Sequence, residues 1–105
     1  MSESSITTNP DWIYNSHAGE LLASEFLAPL EISPDTLAAA IDVPAETVRA
    51  VIDGHSPMFA ELDLRLGRYF RMSEGFFLRL QDQYELLEAK RALNGSLDRI
   101  VPRAA

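Results

Sequence analysis

The sequence contains no cysteine, which excludes a disulfide framework, a thiolate zinc site and a thiol nucleophile. It also has no run of about 18 apolar residues, the length that a membrane-spanning helix requires. The N-terminal segment MSESSITTNPDW lacks the basic start and apolar stretch of a secretory signal. We therefore expect a cytoplasmic protein.

Basic residues are scarce in the first half of the chain. The 105 residues carry a net charge of −7. Residues 17–56 contain seven acidic residues and one basic residue, Arg49, whereas residues 57–105 contain eight basic and seven acidic residues. Because phosphates repel an acidic surface, a protein of this composition binds nucleic acid only if its charges are segregated.

Hydrophobic residues make up 47% of the chain, which is enough for one compact core. They recur at helical spacing in five segments, and no segment alternates in the way that a half-buried strand does. The sequence therefore predicts an all-α domain. The predicted helices cover residues 18–28, 34–41, 45–53, 60–71 and 74–93.

The boundaries of these helices are predicted from capping and breaking residues. Ser33 is predicted to cap the second helix, and Pro34 suits its first position, where no N–H is needed. Ser73 is predicted to cap the fifth helix. Pro29 is expected to end the first helix, and Gly54 the third, because glycine adopts a left-handed backbone at little cost.

The second and third helices have the apolar spacing of a helix-turn-helix. The break between them covers about three residues, Asp42-Val43-Pro44, which is the length of such a corner. An ordinary corner between two helices of a bundle has the same spacing, so both interpretations stay open here. The positions expected to pack the two helices together are Leu37, Ala38, Val43, Val48 and Val51.

Other candidate chemistry is weak. His17 and Glu20 lie three residues apart and resemble half of a metal site, but no second pair of ligands follows. A histidine at a helix start is the better interpretation. The carboxylates at 82, 85 and 88 are expected to form a solvated helix face. No catalytic constellation is apparent, so we expect no enzyme activity, metal or cofactor.

Three stretches carry a resemblance to a known family: HAGELL, SPDTLAAAIDVPAETVRAVIDG and LRLGRYFRMSEGFFLRLQDQYEL. From about His17 to Arg91 the chain resembles HigA-type antitoxins of the XRE helix-turn-helix superfamily and the antidote proteins of plasmid-maintenance systems. The resemblance implies a five-helix, lambda-repressor-like domain that dimerises through its C-terminal helix. The domain would span residues 17–95, between a flexible arm at 1–16 and a flexible tail at 96–105.

The resemblance also implies a DNA-reading surface. The second and third helices would form the reading unit, and a dimer would read a two-fold operator. The segment from Ser33 to Thr36 and the loop after Gly54, with His55, would face phosphate. The positions implied to face the major groove are Ala45, Glu46, Arg49, Ala50 and Asp53.

The fifth helix is longer than a four-helix core requires. Most of its apolar residues are expected in the core, and part of its apolar face is expected to meet a second subunit, as in the family. The residues expected at this interface are Phe76, Phe77, Leu80, Tyr84 and Leu87.

The chain departs from the family at positions implied to contact DNA. Pro34 stands where the family usually has Gln, and His55 and Ser56 follow Gly54 where the family usually has Lys or Arg. The corner glycine is Asp42. Two further replacements lie outside this surface, Phe59 for a capping threonine and Arg71 for a helix-ending glycine.

Two functions remain open on these observations. The first is an antitoxin-like transcriptional regulator that represses its own operon and neutralises a basic toxin ribonuclease. The second is a protein-interaction module on a helix-turn-helix fold whose DNA binding is weakened or lost. Arg49 and Glu46 are relevant to both, because they are three apart on one helix and are spaced either to contact bases or to pair with each other.

Overall fold

A computed structural model describes residues 15–104, which form five helices and a short 3-10 turn without any strand. The all-α prediction is therefore confirmed for this part of the chain. The expected arm at residues 1–16 lies almost wholly outside the described residues. The later helices are α2 (Pro34–Ile41), α3 (Ala45–Ile52), α4 (Ala60–Phe70) and α5 (Phe76–Leu93), and the 3-10 turn is Ser96–Arg99.

The first helix, α1, is built from three consecutive parts. An α-helical turn at Ala18–Leu21 leads into a π-helical stretch at Leu22–Leu27 and a last turn at Ala28–Leu30. The expectation that Pro29 ends this helix is wrong. A proline clashes with the carbonyl four residues back in a regular α-helix, but the wider π turn directly before Pro29 changes this register. The helix instead ends at Glu31, whose φ is 55°.

The second and third helices form the predicted helix-turn-helix. Ser33 caps α2 by accepting a hydrogen bond from the N–H of Thr36 at 3.0 Å. Asp42 ends α2 with a left-handed backbone, φ 60°, in place of the family's glycine. The N–H of Val43 then donates to the carbonyl of Ala38 at 3.0 Å, which closes the corner.

The start of α5 is fixed by a residue of α4. Ser73 does not cap α5; the helix begins after Gly75, which has a left-handed backbone. The side chain of Asp63 takes the capping role, because its carboxylate accepts from the N–H groups of Gly75, Phe77 and Leu78 at 2.7, 2.7 and 3.1 Å. A carboxylate is favoured there by the exposed N–H groups and by the helix dipole.

All five predicted helix-turn-helix packing positions lie in the core or against it, with Leu37, Val48 and Val51 almost completely buried. A cluster of phenylalanines closes one side of the core, and the rings of Phe26 and Phe70 lie 5.0 Å apart. The fully or nearly fully buried apolar residues are Ala18, Leu22, Leu27, Leu37, Ala38, Ile41, Val48, Val51, Met58, Leu62, Leu66 and Phe77.

The helix α5 continues beyond this core. Every residue from Glu88 to Gly95 is exposed, so the last two turns of α5 extend away from the rest of the protomer. Several large apolar side chains at this end are exposed: Leu86, Leu93, Leu97, Ile100 and Val101. None of the described helices is both long enough and apolar enough to cross a membrane.

Candidate nucleic-acid interface

The N-terminus of α2 presents hydroxyl groups at the surface. Ser33 and Thr36 are both exposed, and the Ser33 hydroxyl lies 2.9 Å from that of Thr36. Pro34 occupies the first helical position and Asp35 the second. The expected phosphate-facing segment is thus an ordered helix start on the surface, although it carries a carboxylate.

The outer face of α3 contains the five residues that the family resemblance places at the major groove. Glu46, Arg49 and Asp53 are exposed, whereas Ala45 and Ala50 are half-buried. The opposite face is anchored by Val48 and Val51 in the core. This division leaves a short polar surface of two acids and one base, with small alanine side chains between them.

Arg49 is paired with a residue of the preceding helix. Its Nη2 nitrogen contacts an Oδ1 oxygen of Asp35, in the first turn of α2. The alternative pairing with Glu46 is not observed, and Glu46 makes no ion pair with any described residue. The only basic residue among these five is therefore paired with a residue of α2.

The loop after α3 is shaped by Gly54, whose φ is 83°. The N–H of His55 and the N–H of Ser56 both donate to the carbonyl of Ala50, at 2.9 and 3.2 Å, so the loop closes tightly against the helix end. The His55 side chain is exposed. The loop brings no lysine or arginine to this surface.

The electrostatics of this surface follow from its few charges. Asp35, Glu46 and Asp53 oppose the single cation of Arg49, which gives one base against three acids, a net charge of −2. A surface of this charge gains little from counterion release on DNA. Base contacts, helix N–H groups and hydroxyls would have to supply most of the attraction.

Sequence reasoning missed two side chains that join helices: Arg65 contacts the C-terminus of α2, and Gln81 joins α5 to α1. Arg65 of α4 donates from Nη1 to the carbonyls of Ile41 and Asp42, at 2.9 and 3.4 Å, and so satisfies the C-terminus of α2. Gln81 of α5 is 7% exposed and accepts from the N–H of Ala18 at 3.4 Å. Both contacts join residues more than twenty positions apart, so they cannot be predicted from local spacing in the sequence.

His17 serves the structure of α1. Its Nδ1 accepts from the N–H of Glu20 at 3.2 Å, while the Glu20 carboxylate accepts from the N–H of His17 at 3.4 Å. This reciprocal pair is a capping box. The imidazole also lies edge-on to Tyr84 of α5, at 5.8 Å between ring centroids. Within the described residues no group of three or more metal-ligating side chains occurs.

The residues expected at a subunit interface fall in two environments. Phe77 is completely buried within the protomer, so it offers no surface to a second subunit. The expectation that it lies at the interface is corrected accordingly. Phe76 and Leu80 are half-buried and pack against the core. Tyr84 and Leu87 are half-buried further along α5. The large apolar residues of this helix that are exposed are Leu86 and Leu93.

No protein-family model matches the sequence, but individual proteins do. The chain is 31% identical over 86 residues to an HTH-type transcriptional regulator of Haemophilus influenzae, covering 80% of each protein. It has the same identity over 86 residues to virulence-associated protein I of Dichelobacter nodosus, covering 82% of this chain and 79% of that one.

Solved structures give a similar answer. The antitoxin HigA of Pseudomonas aeruginosa with the higBA promoter is 37% identical and covers 87% of this chain and 100% of its own, with a TM-score of 0.77. A Pseudomonas aeruginosa protein in complex with its 18-base-pair operator DNA is 38% identical, covering 88% and 98%, with a TM-score of 0.81. An addiction-module antidote protein of the HigA family from Coxiella burnetii is 29% identical, covering 85% and 98%, with a TM-score of 0.77.

Three of these relatives are named as a transcriptional regulator, an antitoxin and an antidote protein, which are not enzymes, and this confirms the expectation that the protein is not an enzyme. The similarity extends over almost the whole length of the solved relatives and includes the helix-turn-helix and the long final helix. The chain belongs to the HigA-type antitoxin family of helix-turn-helix transcriptional regulators.

Proposed function

We propose that the protein binds an operator in its own promoter as a dimer and represses transcription there. The observation that carries this proposal is the match, at 37–38% identity and over nearly full length, to relatives solved with promoter or operator DNA. The helix α3 is presented on the outside of a rigid unit, as a reading helix requires. In each protomer α3 would enter a major groove, and the hydroxyls of Ser33 and Thr36 would contact phosphate.

Dimerisation through α5 is part of this proposal. A two-fold operator requires two reading helices at a fixed separation of about one helical turn of DNA. The last turns of α5 extend beyond the protomer core and expose Leu86 and Leu93, which are seven residues apart and so lie on one helix face. A second α5 packed on this face would bury both.

The second activity in the proposal is neutralisation of a toxin. The family resemblance implies a toxin that is a ribonuclease with a basic active face, and residues 17–56, with a net charge of −6, would complement such a partner. Electrostatic complementarity speeds encounter and suppresses wrong partners. Co-expression with a small basic protein encoded next to this gene, scored by growth and by co-purification, tests this activity.

Operator binding is tested with the DNA upstream of the gene. We expect wild-type protein to shift this fragment with a shallow dependence on salt, because few bases are placed to meet phosphate. The Arg49→Ala variant should lose about 1–3 kcal/mol of binding free energy and relax specificity at one base pair. A steep salt dependence would contradict this surface and would direct attention to the exposed Arg68 and Arg71.

A second candidate function is a protein-interaction module that does not bind DNA. The observation that favours it is the net charge of −2 around α3, with Arg49 already paired to Asp35. Failure of wild-type protein to bind upstream DNA at low salt, together with capture of a basic partner, would favour this function over the first.

A further inference from the structure

We infer that Asp35 is a specificity-determining residue, because it positions the Arg49 guanidinium for base reading. The inference rests on the proposed operator binding. Asp35 contacts Arg49 and would not itself read a base, so its role is that of a positioning residue. The observation behind it is the ion pair that joins the first turn of α2 to the outer face of α3.

The backbone that carries the Asp35 carboxylate is fixed by the start of α2. It lies one position after Pro34 in a helix start that the Ser33 cap and the proline ring both fix. A carboxylate in a first helical turn is also favoured by the helix dipole. Asp35 therefore belongs to a helix start whose cap does not involve Arg49.

The pair leaves part of the arginine available. Asp35 contacts one terminal nitrogen, Nη2, and the other donors of the guanidinium make no hydrogen bond to a described residue. The side chains of Arg49 and Asp35 are 50% and 65% exposed. A guanine accepts through O6 and N7 from a forked pair of donors, so an arginine held at one nitrogen can still present donors to a base.

Positioning has a specific benefit on this surface. A free arginine loses much of its rotamer entropy when it contacts a base. If the carboxylate restricts Arg49 before DNA arrives, less entropy is lost on binding and the guanidinium is aimed at one base edge. The cost is a negative charge near phosphate, which weakens binding to every sequence. Asp35 should therefore raise discrimination while lowering non-specific affinity.

The test compares Asp35→Asn with a matched control, Glu31→Gln. Both variants remove one negative charge close to the start of α2, but Glu31 is exposed, makes no ion pair with a described residue and is not among the positions expected to contact DNA. Affinity is measured for the upstream operator, for variants of it with each base pair replaced in turn, and for unrelated DNA. We expect both variants to gain affinity for unrelated DNA, whereas only Asp35→Asn lowers the ratio of operator to non-specific affinity, by about 2- to 5-fold.

The Arg49→Ala background shows whether the effect passes through Arg49. There, Asp35→Asn should no longer change the ratio. A rise in operator affinity and in the ratio for Asp35→Asn would overturn the inference, since Asp35 would then compete with DNA for Arg49. Equal ratios in Asp35→Asn and wild type would overturn it as well.

A measurement without DNA separates this inference from the proposed function. The side-chain Nε–H order parameter of Arg49, measured by NMR on the free protein, should fall in Asp35→Asn and not in Glu31→Gln. An unchanged order parameter overturns the positioning role even if the operator is bound. If wild-type protein binds no DNA, the proposed function fails and the inference about base reading fails with it, whatever the NMR result.

Discussion

At the scale of single residues, the buried carboxylate of Asp63 joins α4 to α5. It is 1% exposed and accepts three backbone hydrogen bonds, from the N–H groups of Gly75, Phe77 and Leu78. These donors at the start of α5 have no partner within their own helix. The first turn of α5 determines the direction of the helix axis. Asp63 therefore also sets the direction of the proposed dimerisation helix.

Removing this carboxylate should destabilise the protein. Asp63→Ala leaves three N–H groups, one buried and two part-buried, without this acceptor, which costs about 1–3 kcal/mol of unfolding free energy. Asp63→Asn should cost less, because one oxygen remains, although its amide N–H₂ group then faces an N–H donor. Urea unfolding followed by circular dichroism measures both values.

The control for this prediction is Glu61→Gln, two residues earlier on α4. Glu61 is exposed and pairs with Arg65 at 3.1 Å, a contact worth no more than about 0.5 kcal/mol. Asp63→Ala and Glu61→Gln variants of equal stability would show that the Asp63 cap does not hold α5.

Residue-scale roles were predictable where the partner is local. The Ser33 cap and the His17 helix start each involve a partner three residues away, and both are confirmed. The cap of α5 was assigned to Ser73 for the same local reason, but the acceptor comes from Asp63, at least twelve residues before its partners. An acid in the first turn of α4 gives no sign of this role in the sequence, because its partners are known only once α4 and α5 pack.

At the scale of elements, the contact between α1 and α3 depends on one glycine. A Cβ atom added at Gly19 would lie 1.8 Å from the carbonyl oxygen of Val51 and 2.9 Å from the Cα of Ile52. The backbone of α1 therefore lies directly on the end of the reading helix. No side chain fits between the two helices without moving one of them.

Gly19→Ala should consequently displace α3 and destabilise the fold. The helix propensity of alanine favours the substitution by about 1 kcal/mol, but a clash with rigid backbone outweighs it. We expect a net loss of about 1–3 kcal/mol, measured by thermal or urea unfolding, and weaker operator binding. Ser24→Ala, on an exposed position of α1, should change stability by no more than about 0.5 kcal/mol. Wild-type stability in Gly19→Ala would contradict this packing of α1 on α3.

Element positions followed from the sequence more closely than their ends. The predicted helix α3 at 45–53 differs from the observed Ala45–Ile52 by one residue, because its apolar spacing and Gly54 act locally. The π-helical stretch at Leu22–Leu27 was not predicted, since its apolar residues fit a regular helix equally well. Its presence explains why Pro29 lies inside α1.

At the scale of the whole molecule, the apolar end of α5 needs a partner to be covered. Leu86 is 60% exposed and Leu93 is 40% exposed, and every residue from Glu88 to Gly95 is exposed. We expect wild-type protein to sediment as a dimer at micromolar concentration. Leu86→Glu with Leu93→Glu should give a monomer of unchanged helix content, because charge at a packed apolar interface is costly to desolvate.

Ala92→Glu is the control for the dimer prediction. Ala92 is exposed and lies about 100° from Leu93 around the helix, so it should leave the dimer intact. Sedimentation of the wild-type protein only as a monomer would contradict the proposal that α5 forms a dimer interface. The family resemblance and the exposed helix end both point to this interface, whereas the residues first expected there included Phe77, which the core buries.

The distribution of charge over the molecule gives the last prediction, which concerns Glu46 and Asp53. Both are exposed on the side of α3 that is proposed to face the major groove. Changing both to Lys raises the net charge by four units, from −7 to −3. If this face meets DNA, the double variant should bind non-specific DNA more tightly and with a steeper salt dependence. Stability should change little at exposed positions, which circular dichroism checks. Asp82→Lys with Asp98→Lys makes the same change in net charge outside the helix-turn-helix. Equal gains in DNA affinity for the two double variants would show that only net charge matters and that α3 does not face DNA.

The same Glu46 and Asp53 reversals should slow association with a basic toxin if these acids steer it. Stopped-flow association rates at two salt concentrations would measure that effect separately from DNA binding.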